Sequence, residues 1–110
     1  MDDNLVSKLA PYREHPGIKA ALLISRDGFL VASSADDDVN VEAVAAQVAG
    51  IIDIGARLAD ELNQEKTGYI TIELTDLNAV LAPFGGELLL TLIGTPEAIG
   101  LQYTLRSVRP

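Results

Sequence analysis

From Ala43 to Ile52 the chain reads AVAAQVAGII, without a single charge, inside a helical periodicity that runs from Val41 to about Gln64. At 100° per residue, Val41, Val44, Ala45, Val48, Ile51, Ile52, Gly55, Leu58, Ala59 and Leu62 fall on one stripe, which is expected to lie on a sheet. The opposite side of the first half is apolar as well: Ala43, Ala46, Gly50 and Ile54 project there, with Ala49 at the margin. A helix that is apolar all round must be buried all round. Farther along, the outer side turns polar with Asp53, Arg57, Asp60, Glu61 and Gln64, and Arg57 is spaced to pair with Glu61 at i+4. Asn40 is placed to cap the helix, and Glu42 lies in its first turn, near the positive end of the dipole.

The rest of the chain supplies what this helix packs on. Ile18–Ser25 and Phe29–Ser33 flank Arg26-Asp27-Gly28, a short polar loop whose glycine accepts positive φ, and the pair is read as a β-hairpin. Both arms are almost wholly apolar, so both faces of their sheet are expected to be covered. Gly68–Leu74, Ala79–Phe84 and Leu88–Gly94 follow, with connections short enough for an antiparallel meander; Tyr69, Thr71 and Glu73 alternate with Ile70, Ile72 and Leu74, giving the first of these strands one wetter face. A weak helix over residues 2–14, interrupted by Pro11, precedes the hairpin. A second helix over 96–108 follows the meander, opened by Thr95-Pro96-Glu97 and carrying Arg106 and Arg109 at its far end. The order is α-β-β-α-β-β-β-α in one domain spanning 1–110. The terminal helices suit the second sheet face better than they suit the outer face of the long helix, which leaves that outer face for a second subunit.

Composition excludes several functions. Eight Lys and Arg against sixteen Asp and Glu leave a net charge of −8, so a nucleic-acid backbone would meet mostly like charge. There is no cysteine and one histidine, His15, which rules out disulfides and a Cys/His metal site. His15 lies beside the Pro16-Gly17 break at an element junction, and none of Ser25, Ser33 and Ser34 sits in a G-x-S-x-G elbow, so hydrolase chemistry is not expected. The run Asp36-Asp37-Asp38 fails as a calcium loop, because Val41 stands where the sharp-turn glycine belongs and Gln47 where the bidentate glutamate belongs. No glycine-rich phosphate loop is present, and Gly85-Gly86 reads as a hairpin turn. Charges interrupt every apolar stretch before the ~18 residues a membrane span needs. The expectation is a soluble, cytoplasmic protein that is not an enzyme, with no catalytic residues, no metal and no cofactor, no nucleic-acid partner and no membrane insertion.

Three segments together resemble the Roadblock/LC7 family, including its MglB-like members: the hairpin GIKAALLISRDGFLVASS (17–34), the Ala/Gly-rich helix VEAVAAQVAGIIDIGARLADEL (41–62) and PFGGELLLTLIGTPEAIGL (83–101). The resemblance implies an α+β fold, a five-stranded antiparallel sheet between one long central helix and two terminal helices. It implies homodimers that join at the central helices and an edge strand into a continuous ten-stranded sheet. Carried onto this chain, the dimer interface is expected at Ala43, Ala46, Ala49, Gly50 and Ile54, with Tyr69, Thr71 and Glu73 on the edge strand. The partner implied is a small Ras-like GTPase, and Asp53, Arg57, Asp60 and Glu61 are its expected contacts. A passive dimeric scaffold subunit of a larger complex is the alternative, and a small-ligand sensor domain is a third reading from another class.

Overall fold

The computed structural model describes residues 3–65, 67–85 and 87–100. Helix α1 (Asp3–Arg13) leads into the hairpin β1 (Ile18–Ser25) and β2 (Leu30–Ala35); α2 (Val41–Glu61) follows, and then β3 (Ile70–Glu73), β4 (Asn78–Pro83) and β5 (Leu88–Gly94). Residues 96–100 are helical. The part of the last helix expected beyond them, with Arg106 and Arg109, lies outside the described residues.

All pairings are antiparallel, and the strands are ordered β2-β1-β5-β4-β3, so β3 and β2 form the two edges. The near-continuous apolar runs of β1 and β5 are explained by their central position. Ala20, Leu22 and Ile24 point to one side with Leu81 and Leu89, where Ala45, Val48 and Ile52 of α2 cover them. Ala21 and Leu23 point to the other side with Val80, Leu90 and Leu92, under Leu9 of α1 and Ala98 and Ile99 of the last helix. A register shift between Ile18 and Ala20 turns Ile18 to the α1 side, as a bulge does when it breaks the two-residue alternation. The fold class expected from the sequence is therefore observed, with the central helix on one face and the terminal helices on the other.

Local chemistry accounts for the joints. Gly28 takes φ +92° in the β1–β2 turn, where the Ser25 amide donates to the Phe29 carbonyl at 2.9 Å. Asn40 caps α2, its side-chain oxygen accepting from the Ala43 amide at 3.2 Å, and Thr95 does the same for the last helix toward Ala98 at 3.3 Å. Arg13, at the end of α1, donates to the Ile18 carbonyl and to Ser34 and pairs with Asp36, tying the helix to both hairpin strands.

Several boundaries differ from the sequence reading. α1 runs through Pro11 without breaking. Phe29 belongs to the turn rather than to β2, which runs on to Ala35. β3 is only four residues long, so Tyr69 and Leu74 lie beyond its ends.

Candidate interaction surface

The buried line of α2 is narrow: Ala45, Val48, Ile52 and Ala59. Val41, Val44, Ile51 and Gly55 are half-buried beside it. Leu58 and Leu62, expected on the sheet-facing stripe, are instead each 60% exposed. The cause is angular: Leu58 stands about 100° around the helix from Ala59, and the two cannot both face the sheet squarely. The last turns therefore carry an apolar ridge, Ile54, Leu58 and Leu62, spaced i, i+4 and i+8 and open to solvent. Leu74, just past the end of β3, is 58% exposed and adds apolar surface beside the sheet edge.

The other expected contact residues of α2 divide into two groups. Ala43, Ala46 and Gly50 are exposed, and a Cβ placed on Gly50 meets nothing within 4 Å, so this strip has no cover among the described residues. Ala49 is half-buried beside the chain's own β1–β2 turn, where a Cβ on Gly28 would lie 3.4 Å from the Ala49 methyl. On β3, Thr71 and Glu73 are exposed while Ile70 and Ile72 turn toward α2. Gly55 permits that approach, since a Cβ there would stand 3.2 Å from Ile70 Cδ1. Tyr69 is partly exposed immediately before the strand.

Asp53, Arg57, Asp60 and Glu61 are all exposed on the outer side of α2. Arg57 Nη2 lies 2.9 Å from Asp53 Oδ2. The i+4 partner expected for Arg57 was Glu61; the observed partner is one turn back instead. The charged group and the apolar ridge run along adjacent lines of the same helix, so an occupant of one would border the other. Leu58, Leu62 and Leu74 are the members that sequence reasoning missed. For Leu58 and Leu62 the signal was the width of the apolar arc on α2, too broad for one sheet face; Leu74, just past the end of β3, carried no such signal.

The acidic loop that follows β2 is an ion-paired surface. Lys19 Nζ lies 2.9 Å from Asp38 and 3.9 Å from Asp36, while Arg13 holds Asp36 at 3.0 Å. The hydrogen bond from Lys19 holds the Asp38 carboxyl below its ordinary range, and the reciprocal bond raises Lys19. Among the described residues, no three His, Cys, Asp or Glu side chains gather as metal ligands, and no helix is long and apolar enough to cross a membrane.

Comparison with known proteins agrees with this architecture. The model of the Roadblock/LC7 domain matches residues 5–94. An uncharacterized protein of Methanocaldococcus jannaschii is 31% identical over 72 residues, covering 66% of this chain and 66% of that protein, a little under two thirds of each. Among solved structures, a Roadblock/LC7 domain from Streptomyces avermitilis superposes with a TM-score of 0.75 at 21% identity, covering 99% of this chain and 95% of the other. A structure described as MglB with tetrameric arrangement superposes with a TM-score of 0.79 at 22% identity, covering 93% and 81%. At these identities the structural likeness carries the fold alone, but the family match spans most of the chain: it belongs to the Roadblock/LC7 family.

Proposed function

We propose that this chain is a cytoplasmic, homodimeric regulator or adaptor that binds a small Ras-like GTPase and modulates its GTP hydrolysis, with residues 1–110 acting as one domain. The observation that carries this reading is the uncovered apolar surface of α2. The strip Ala43, Ala46 and Gly50 and the ridge Ile54, Leu58 and Leu62 make one exposed face. Apolar surface of this extent on a folded chain marks an interaction site. A second copy would bury it through a self-complementary contact, with the edge strand β3 (Thr71, Glu73) and the adjoining Tyr69 extending the contact across the sheets. Two copies would then set their Asp53, Arg57, Asp60 and Glu61 side by side across the symmetry axis. Such a doubled site favours one partner spanning both subunits, because a second partner would collide with the first.

The alternative, a passive dimeric scaffold with no effect on hydrolysis, draws support from Arg57 being already paired with Asp53. The test is co-purification of the tagged chain from native lysate in the presence of a GTP analogue or GDP, followed by turnover assays on the recovered GTPase. Retention of a Ras-like GTPase preferentially in the GTP-analogue arm, with an altered hydrolysis rate, supports regulation. Retention with unchanged hydrolysis supports the scaffold. No GTPase in either arm contradicts both.

A further inference from the structure

The end of the sheet where β1 stops and β3 begins holds a cleft of about 620 Å³, within the range of small-molecule sites. Its middle is apolar, with Ile52 and Ala56 contributed by α2 and Leu89 by the central strand β5. Its two ends carry opposite charges. Arg26 follows the last residue of β1, and Glu65 lies in the segment that leads into β3. β5 and β4 separate these strands, so at the usual strand spacing the two positions stand about 14 Å apart. Arg26 is held loosely: its Nε lies 3.7 Å from Glu87 Oε2, longer than a hydrogen bond, and the Glu87 side chain is 87% exposed. Glu65 has no ion-pair partner among the described residues. Polar groups also line the space between the charges. Thr67 brings a hydroxyl, and a Cβ added at Gly68 or Gly85 would meet nothing within 4 Å, so open space lies in front of the backbone at both glycines.

We propose that this cleft binds a short apolar peptide with free ends, its carboxylate on Arg26 and its ammonium on Glu65, its side chains lying against Ile52, Ala56 and Leu89. An extended tripeptide is about 10 Å long, and the reach of the Arg26 and Glu65 side chains covers the rest of the span. Its peptide groups would find hydrogen-bonding partners at Thr67 and at the backbone of Gly68 and Gly85. Simpler occupants fit less well. An anion without a cationic end would meet Glu65 and Glu87 uncompensated, and a hydrocarbon would desolvate Arg26 and Glu65 without pairing either. The site is separate from the self-association face: Ile52 and Ala56 stand about 200° around α2 from Ile54 and Leu58, respectively, so the cleft opens on the flank away from the apolar ridge. Tyr69 lines the cleft and is also expected in the edge-strand contact, but none of the binding groups named above depends on it.

The test is titration of the ¹⁵N-labelled full chain with the tripeptide Leu-Ala-Leu, its N-acetyl form and its C-terminal amide, read by amide chemical shifts. The free peptide is expected to give saturable shifts at millimolar concentration, centred on Arg26, Ile52, Ala56 and residues 67–69, with each capped form at least about tenfold weaker. Arg26→Gln is expected to weaken the free peptide about tenfold and leave the amide unaffected, whereas Glu65→Gln does the same for the free peptide and leaves the N-acetyl form unaffected. Ala56→Phe, which fills the cleft from an exposed position on α2, is expected to block all three. The proposal is overturned by the absence of a saturable response to the free peptide, by either capped form binding as tightly as the free one, by Arg26→Gln or Glu65→Gln weakening both members of its pair equally, or by undiminished binding to Ala56→Phe. Light scattering on the same samples reads self-association separately, so failure of the dimer and failure of this site are distinguishable.

Discussion

Arg57 reaches back along α2 to Asp53, Nη2 to Oδ2 at 2.9 Å, and not forward to Glu61. Both side chains are largely exposed, so the pair is worth only about 0.3–0.5 kcal/mol to the helix. Arg57→Ala should therefore leave the melting temperature nearly unchanged and the mass by light scattering unaltered. If the guanidinium contacts the GTPase, the same variant weakens GTP-state binding, measured by calorimetry with the purified partner. Unchanged affinity and turnover would move the partner site away from Arg57.

The long helix should depend measurably on its cap. Asn40 accepts the Ala43 amide at 3.2 Å, and α2 supplies the cover for half of the core. Asn40→Ala is expected to lower the stability of the chain by about 1 kcal/mol, with Asn40→Asp close to neutral. Denaturant unfolding with an unchanged m value checks this.

Gly94 is expected to be intolerant of any side chain. A Cβ there would lie 2.6 Å from the Gly17 carbonyl oxygen and 3.0 Å from Ile18 Cα, both backbone atoms. Gly94→Ala must therefore separate β5 from the start of β1, at a cost of about 1–3 kcal/mol, the range for forced overpacking. Gly50→Ala, with nothing near its added methyl, should instead be neutral or slightly stabilising in the isolated subunit. Paired thermal melts separate the two.

Lys19 and Asp38 stabilise each other in a definite pH window. The hydrogen bond from Lys19 lowers the Asp38 carboxyl, so its contribution is present above the ordinary Asp range and is lost as pH falls through the lowered value. Lys19 is raised chiefly by that same bond, so its contribution is full below the ordinary Lys range and is lost as pH rises through the raised value. Across neutral pH both are therefore in place. Lys19→Met is expected to return the Asp38 midpoint upward in a carboxyl NMR titration, whereas an unmoved midpoint would mean the bond does not persist in solution.

The sequence carried the architecture because its signals were redundant. The apolar arms of the hairpin, the Asn40 and Thr95 caps and the glycine turns each pointed to the same arrangement. It carried less of the candidate surface. Helical periodicity assigns an arc, and Leu58 and Leu62 lie on the flank of that arc, where only the position of the sheet beneath decides between core and solvent. A further feature was hidden because it is tertiary: Ala49 faces the Gly28 turn twenty-one residues earlier.

Self-association is the claim on which the functional reading stands, and light scattering of the wild type beside Gly50→Glu tests it most directly. The exposed position of Gly50 allows the glutamate in a lone subunit, so the variant should stay folded. Within a helix-to-helix contact the same charge would be unpaired and buried, costing on the order of 3 kcal/mol or more and weakening the dimer about 100-fold. The account predicts twice 11.7 kDa for the wild type at tens of micromolar, and folded 11.7 kDa monomer for Gly50→Glu. A wild type of 11.7 kDa under those conditions, or a Gly50→Glu variant that dimerises as tightly as the wild type, would contradict it.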